Sequence, residues 1–324
     1  MKKFRYSFIA AAASFLLIFA FTACESIPIN WDTSGLSESD AALVNSIKSS
    51  VESIEKAAET ISPEDEYNIG RAVAASIATT YTIDQKNPAM SAYLNKICKT
   101  LVMNSEKPYL YKDYCVAIMD TDEINAMATP GGHIFVSRGI IKNCDSEDAL
   151  AAILAHEISH IQLGHSVKAI KASRVRAATT DTAKAGVITS LTVANASNKD
   201  ESTKLSEEEM KDLLNTVDTL SSASNEVVKT LVNTGFSKEQ EFEADSLAVS
   251  IMNDAGYDSY AILDILGQIQ KSKSNSGWGA THPSAADRIK NVSKDLAGIE
   301  KSEAIQNGKA LRTKRFKTAY ARYK

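Results

Sequence analysis

Residues 150–163 read Leu-Ala-Ala-Ile-Leu-Ala-His-Glu-Ile-Ser-His-Ile-Gln-Leu, an apolar helical run interrupted by two histidines and a glutamate. On a helix, positions four apart share one face, one turn along. His156 and His160 therefore point the same way and can reach one metal ion, with Glu157 turned toward the side where a water would sit. Zinc accepts such nitrogen ligands and, in catalytic sites, keeps one coordination position open for water. The chain has only five histidines, so two at this spacing around a glutamate constrain it strongly. The plain alternative is a buried helix with two hydrogen-bonded core histidines.

A third ligand favours the metal. Glu241-Phe242-Glu243-Ala244-Asp245 opens a second helical pattern, with Ser237 placed to cap it, an apolar side through Leu247, Val249, Ile251 and Met252, and Gly256 to end it. Glu241 and Asp245 share a face, so one carboxylate can bind metal while the other accepts the free ring N–H of a ligand histidine, fixing its tautomer.

H-E-x-x-H followed by E-x-x-x-D resembles the gluzincin arrangement. The flanking passages resemble the family of CAAX prenyl proteases, HtpX and the periplasmic BepA-type metallopeptidases. They are Glu66 to Val73, Asn125-Ala126-Met127-Ala128, Pro130 to Val136, Ser237 to Ala248, and His282-Pro283 with Arg288-Ile289, together spanning about residues 62–295. Lys238 stands where an arginine is common and Met127 where an aromatic is common. The resemblance implies zinc held by His156, His160 and Glu241, with Glu157 as catalytic base. It also brings His282 toward the metal, either as a fourth ligand that keeps the enzyme latent or as an oxyanion stabiliser. Asp245 and Arg288 are expected around the ligands; Arg288 can buttress Glu243, Asp245 or a substrate carboxylate, or form a surface ion pair. His165, at the helix end, is expected to cap or pack, and His133 to be structural.

The amino-terminal segment addresses location. Lys2, Lys3 and Arg5 precede an uncharged apolar stretch from Phe8 to Phe21, and Phe21-Thr22-Ala23-Cys24 then places small residues before a cysteine. This reads as a secretory signal over residues 1–23, too short for a comfortable membrane span. Its ending resembles a bacterial lipobox, which implies cleavage before Cys24 and a lipid on it; an ordinary signal with a stray cysteine, or an uncleaved anchor, is the alternative. Glu25 in place of aspartate implies, by resemblance to enterobacterial lipoproteins, outer-membrane delivery on the periplasmic side. Of 36 basic and 40 acidic residues, losing Lys2, Lys3 and Arg5 leaves 33 against 40, about −7. That balance argues against nucleic-acid binding. Cys98, Cys115 and Cys144 remain beside Cys24, allowing at most one internal pair.

The expected organisation is a lipidated tether over 24–36, a zinc metallopeptidase domain over 37–300 and a basic tail over 301–324. Ser37 can cap a helix whose stripe runs from Leu43 to Ile61, Pro63 starts another through about Thr80, and Asn87-Pro88 a third. Tyr114–Met119, Ile124–Ala128 and His133–Ser137 read as strands, with Gly132 to Ser137 either an edge that binds substrate backbone or a plain member of the sheet. Residues 166–235 contain no aromatic and read as helical arms or a lid between the two zinc helices. The tail carries eight basic residues and one acid, Glu303, and is expected to be solvated or to meet anionic lipid. The fold class is α+β, mainly α-helical and zincin-like, with a small sheet. The sequence supports a zinc-dependent endopeptidase acting on unfolded or misfolded envelope proteins, or a zinc-stabilised chaperone or assembly factor with latent proteolysis.

Overall fold

The computed structural model describes residues 60–172, 235–272, 282, 285–300 and 302–323, with a few isolated earlier positions. The expected signal, tether and first helical stripe, and nearly all of the 166–235 segment, lie outside them. Residues 60–171 and 225–324 form one compact unit, which contains everything described below.

Two helices come first. In α1 (Pro63–Thr80), Ser62 is the N-cap and accepts a bond from Asp65 N, with Pro63 at the first helical position. In α2 (Pro88–Met103), the proline starts the helix as expected, but the Asn87 side chain donates to Asp84 instead of capping. Three strands follow: β1 (Cys115–Met119), β2 (Ala126–Ala128) and β3 (His133–Ser137). Their order is β1-β3-β2, with β1 parallel and β2 antiparallel to β3.

β3 is therefore the central strand, and the expectation of an edge at Gly132 to Ser137 is corrected. Both edges of β3 are hydrogen-bonded, to β1 on one side and β2 on the other, and four of its five residues are buried. The far side of β1 is bridged by Ile83, with Asp84 N donating to the Ile118 carbonyl. Among the described residues the outer side of β2 has no strand partner, so the open edge is Ala126–Ala128.

Two glycine-bearing passages lock together at this end of the sheet. A Cβ on Gly70 of α1 would overlap the Pro130 carbonyl, and Gly131, at φ 74°, lies against the Tyr67 backbone. Only glycine permits that approach and that backbone conformation.

After α3 (Arg138–Asn143), α4 (Glu147–Gln162) carries the H-E-x-x-H run. Ser146 caps it, accepting from Ala149 N, and all of its residues are buried. Its middle, Ala149 to Ala155, is apolar on every side, as suits an interior helix, and its polar residues lie toward the two ends. It packs on α2, on α5 (Lys238–Asp254) and on α6 (Ala261–Ser272). Ile153, Leu154 and Ile158 are at most 2 % exposed, each burial contributing about 1.5–3 kcal/mol.

Residues 165–172 continue as helix past the turn at Leu163-Gly164, and further along come α7 (Ala285–Asp295) and α8 (Glu303–Ala321). The tail expected to be solvated thus holds a 19-residue helix whose arginines are used inward. Arg315 Nε donates to Glu147 at 2.9 Å, and Arg312 Nε lies 2.7 Å from Asp148 Oδ1. Both carboxylates sit in the first turn of α4, where negative charge suits the helix dipole. Tyr93 also donates to Glu147, at 2.8 Å. At the opposite end of α4, Lys107 donates to the Gln162 carbonyl, a cation on the negative end of the dipole.

All three described cysteines are free: Cys98 and Cys144 are buried and Cys115 is exposed. No helix among the described residues is long and apolar enough to cross a membrane.

Candidate metal centre

α4 supplies His156, Glu157 and His160, and α5 crosses it to supply Glu241 and Asp245. Ser237 begins α5 through a capping box with Gln240, which sets the rotation of the helix one turn before Glu241. Residue 282 and α7 bring His282 and Arg288 to the same place. The structure thus gathers every residue singled out for the centre into one buried cluster. Those residues are His156, Glu157, His160, Glu241, Asp245, His282 and Arg288.

Four donors converge. The ligand-capable atoms of His156, His160, Glu241 and His282 all lie within 4.8 Å of one another. The two histidine Nε2 atoms are 3.1 Å apart, and each is 3.5 Å from a Glu241 oxygen. His282 Nε2 is 3.6 Å from Glu241 Oε1. Zinc–ligand bonds of about 2.0–2.1 Å in a tetrahedron separate neighbouring ligands by about 3.3–3.4 Å, so these spacings fit a zinc-sized cation. The chemistry fits too. Both Glu241 oxygens are fully buried and make no hydrogen bond among the described residues. Arg288 Nη1 stands off at 3.7 Å and the two histidine nitrogens at 3.5 Å, so a closer cation would satisfy this buried carboxylate.

Each histidine of α4 is held from behind, by different means. His156 Nδ1 is 3.0 Å from Asp245 Oδ1, and Arg288 binds both Asp245 oxygens, at 2.7 and 2.9 Å. Arg288 Nη2 also lies 3.2 Å from His156 Nδ1. Both nitrogens are donors when Nε2 faces the cluster, so they meet as neighbours on the shared carboxylate. Arg288 is 2 % exposed, so it makes no surface ion pair; it pairs with Asp245 in the interior and lies 3.7 Å from Glu241. His160 Nδ1 instead faces His165 Nδ1 at 2.9 Å, and His165 Nε2 is 3.2 Å from Glu243. Phe236 stacks on the His160 ring, centroids 4.2 Å apart.

Electrostatics follow from this layout. Burial and Arg288 push the His156 pKa down, but the Asp245 carboxylate bound to it and the nearby Glu241 carboxylate outweigh them and leave it at about 9. The carboxylates thus draw positive charge to this point of the interior. Burial, then the surrounding histidines, hold His160 well below its ordinary value, and burial also lowers His165. Asp245 is kept ionised: burial opposes this, but Arg288 and His156 prevail.

His165, Glu243 and Phe236 were not foreseen in these places. His165, expected to cap or pack, lies behind a ligand-capable ring. The one local signal was Gly164, whose φ of 65° turns the chain back just after α4. His133 keeps its expected structural place, stacked on Tyr67 at 5.5 Å.

A sheet flanking a buried helix with H-E-x-x-H, crossed by a helix that adds a glutamate to the same cluster, defines a zincin-like metallopeptidase fold. The match to a family model is direct: the chain belongs to peptidase family M48, with residues 88–296 matched. It is 28 % identical over 176 residues to the mitochondrial metalloendopeptidase OMA1 of Schizosaccharomyces pombe, covering 52 % of this chain and 42 % of that one. It is 26 % identical over 183 residues to the beta-barrel assembly-enhancing protease of Yersinia pestis, covering 56 % and 33 %. The metalloprotease YcaL of Escherichia coli is 23 % identical over 246 residues, covering 74 % of this chain and 83 % of the relative. The chain thus spans less than half the length of the first two.

Proposed function

We infer that this chain is a zinc-dependent endopeptidase of the bacterial cell envelope that cleaves misfolded or stalled envelope proteins, outer-membrane proteins among them. The single observation carrying the reading is the buried four-donor cluster with Glu157 beside it on the same helix. His156, His160 and Glu241 would hold the zinc. When bound, the ion lowers the pKa of water toward about 7 and polarises a carbonyl. Glu157 takes the water proton and delivers it to the leaving amine. Asp245 and Arg288 fix the His156 ring. The open edge at Ala126–Ala128 is where a substrate backbone would add as a strand, with main-chain bonds and little sequence preference.

The envelope setting rests on the amino-terminal signal pattern, with a lipid on Cys24 and an outer-membrane destination. It also rests on likeness to a protease named for beta-barrel assembly. One observation favours a second reading, a zinc-stabilised chaperone or assembly factor with latent proteolysis. His282 supplies a fourth protein donor, and closed four-ligand sites are typical of structural zinc.

The test compares casein cleavage by the purified chain, Glu157→Gln and His282→Ala, at equal zinc content. Cleavage lost on chelation and in Glu157→Gln supports the protease. Cleavage that appears or rises in His282→Ala supports latency. A folded chain that takes up no zinc refutes both readings.

A further inference from the structure

The His160 side of the centre carries an inference beyond the ligand set, resting on the reading that His156, His160 and Glu241 hold a metal. We propose that His165 is a positioning residue. It accepts the Nδ1–H of His160 and passes the chain of bonds to Glu243, fixing the tautomer and rotation of the His160 ring.

The bonding admits one consistent assignment. His160 turns Nε2 toward His156 and Glu241, at 3.1 and 3.5 Å, so a metal takes that lone pair and the proton of the neutral ring sits on Nδ1. Nδ1 is 2.9 Å from His165 Nδ1, which must then accept, leaving the His165 proton on Nε2. That nitrogen lies 3.2 Å from the Glu243 carboxylate, an acceptor when ionised. Every donor meets an acceptor only when both rings are neutral in these tautomers.

Three competing roles for His165 fail on geometry. A helix cap would place its side chain on the last carbonyls of α4, yet the Ser159 and Ile161 carbonyls accept from the backbone N–H groups of Leu163 and Gly164, and the Gln162 carbonyl from Lys107. A metal ligand would face the cluster, whereas His165 meets the far nitrogen of His160. Mere core filling would leave its contact with Glu243 unexplained. His165 itself is 0 % exposed, while the Glu243 side chain is 55 % exposed, so the relay runs from the buried ligand to the surface. Gly164 makes it possible. Its left-handed turn ends α4 and returns the next residue beneath the helix, and Phe236 closes the face of His160 against sideways tilt.

Groups that orient a ligand histidine typically change metal affinity 10–100-fold when removed. Zinc affinity of the full chain, measured by competition with a chromophoric chelator, should fall by about that factor in His165→Leu. That side chain fills the space but cannot accept. His165→Gln keeps an acceptor for His160 and a donor for Glu243, and should recover most of the affinity. Cobalt-substituted His165→Leu should show an altered visible spectrum, which loss of stability alone would not cause. Wild-type affinity in a folded His165→Leu overturns the proposal.

If that variant does not fold, the wild-type chain decides. With only five histidines, ring-nitrogen NMR of the zinc-loaded protein should find His160 protonated at Nδ1 and His165 at Nε2. A proton on His165 Nδ1 overturns the relay. Absence of zinc binding by the wild-type chain would instead refute the metal reading beneath it, so the two failures are distinct.

Discussion

The two histidines of α4 do the same job with opposite kinds of support. His156 leans on an ion pair, Asp245 with Arg288, sealed in the interior. His160 leans on a neutral ring that leads out to Glu243 at the surface. A buried pair holds geometry tightly but is dangerous to break, because either partner left alone is an uncompensated charge. A neutral relay leaves no charge behind in the interior. One centre can therefore have a side that is indispensable to folding and a side that is adjustable.

The largest effect should come from breaking the ion pair. Asp245→Ala leaves Arg288 buried without its carboxylate and should destabilise the chain by about 3–5 kcal/mol, read by urea denaturation. Replacing both, as Asp245→Leu with Arg288→Met, should recover much of that stability but not zinc affinity, since His156 still lacks its acceptor. If the double variant is as unstable as the single one, charge is not what distinguishes this side.

A middle-sized effect tests whether charge at the head of α4 behaves like charge at the ligands. Glu147 is buried, but the Arg315 side chain is 45 % exposed. Arg315→Ala should therefore cost about 1.5 kcal/mol, the low end for a hydrogen bond to a charged group. Thermal melting reads it, and zinc stoichiometry should not change.

On the relay side, Glu243→Ala should change stability by no more than about 0.5 kcal/mol while weakening zinc binding less than His165→Leu does. A loss comparable to Asp245→Ala would erase the contrast between the two sides. The smallest signal is thiol reactivity. Burial raises the Cys98 pKa to about 12 and the Cys144 pKa further still, so near pH 7 neither forms thiolate while folded. Cys115, exposed although burial raises its thiol pKa too, should label ahead of both. Labelling of the other two should quicken in Asp245→Ala and stay at the wild-type rate in Glu243→Ala.

What was legible in the sequence follows local spacing. Helical periodicity puts His156 with His160, and Glu241 with Asp245, each pair on one face. The choice of Glu241 over Asp245, the role of Glu157 as base, and the inclusion of His282 and Arg288 came from the family resemblance. The α+β class was readable from the same patterns. His165 was not, because a histidine after a glycine at a helix end reads equally well as a cap, and its second partner, Glu243, is 78 residues away. The central place of β3 was hidden for a similar reason: alternation marks a strand but not its neighbours. The tail read as solvated because lysine and arginine dominate it. Only tertiary packing shows that Arg312 and Arg315 serve α4 while Lys309, Lys314 and Lys317 face water.

That last helix also sets an order of events in folding. Glu147 and Arg315 are 168 residues apart in the chain, so their pairing waits on closing a very long loop, whose entropic cost comes before any gain from the contact. α8 is therefore expected to close last, as a clasp. Tyr93 already serves Glu147, and α4 already packs on α2, α5 and α6, so the late arginine adds about 1.5 kcal/mol to a centre the earlier elements enclose.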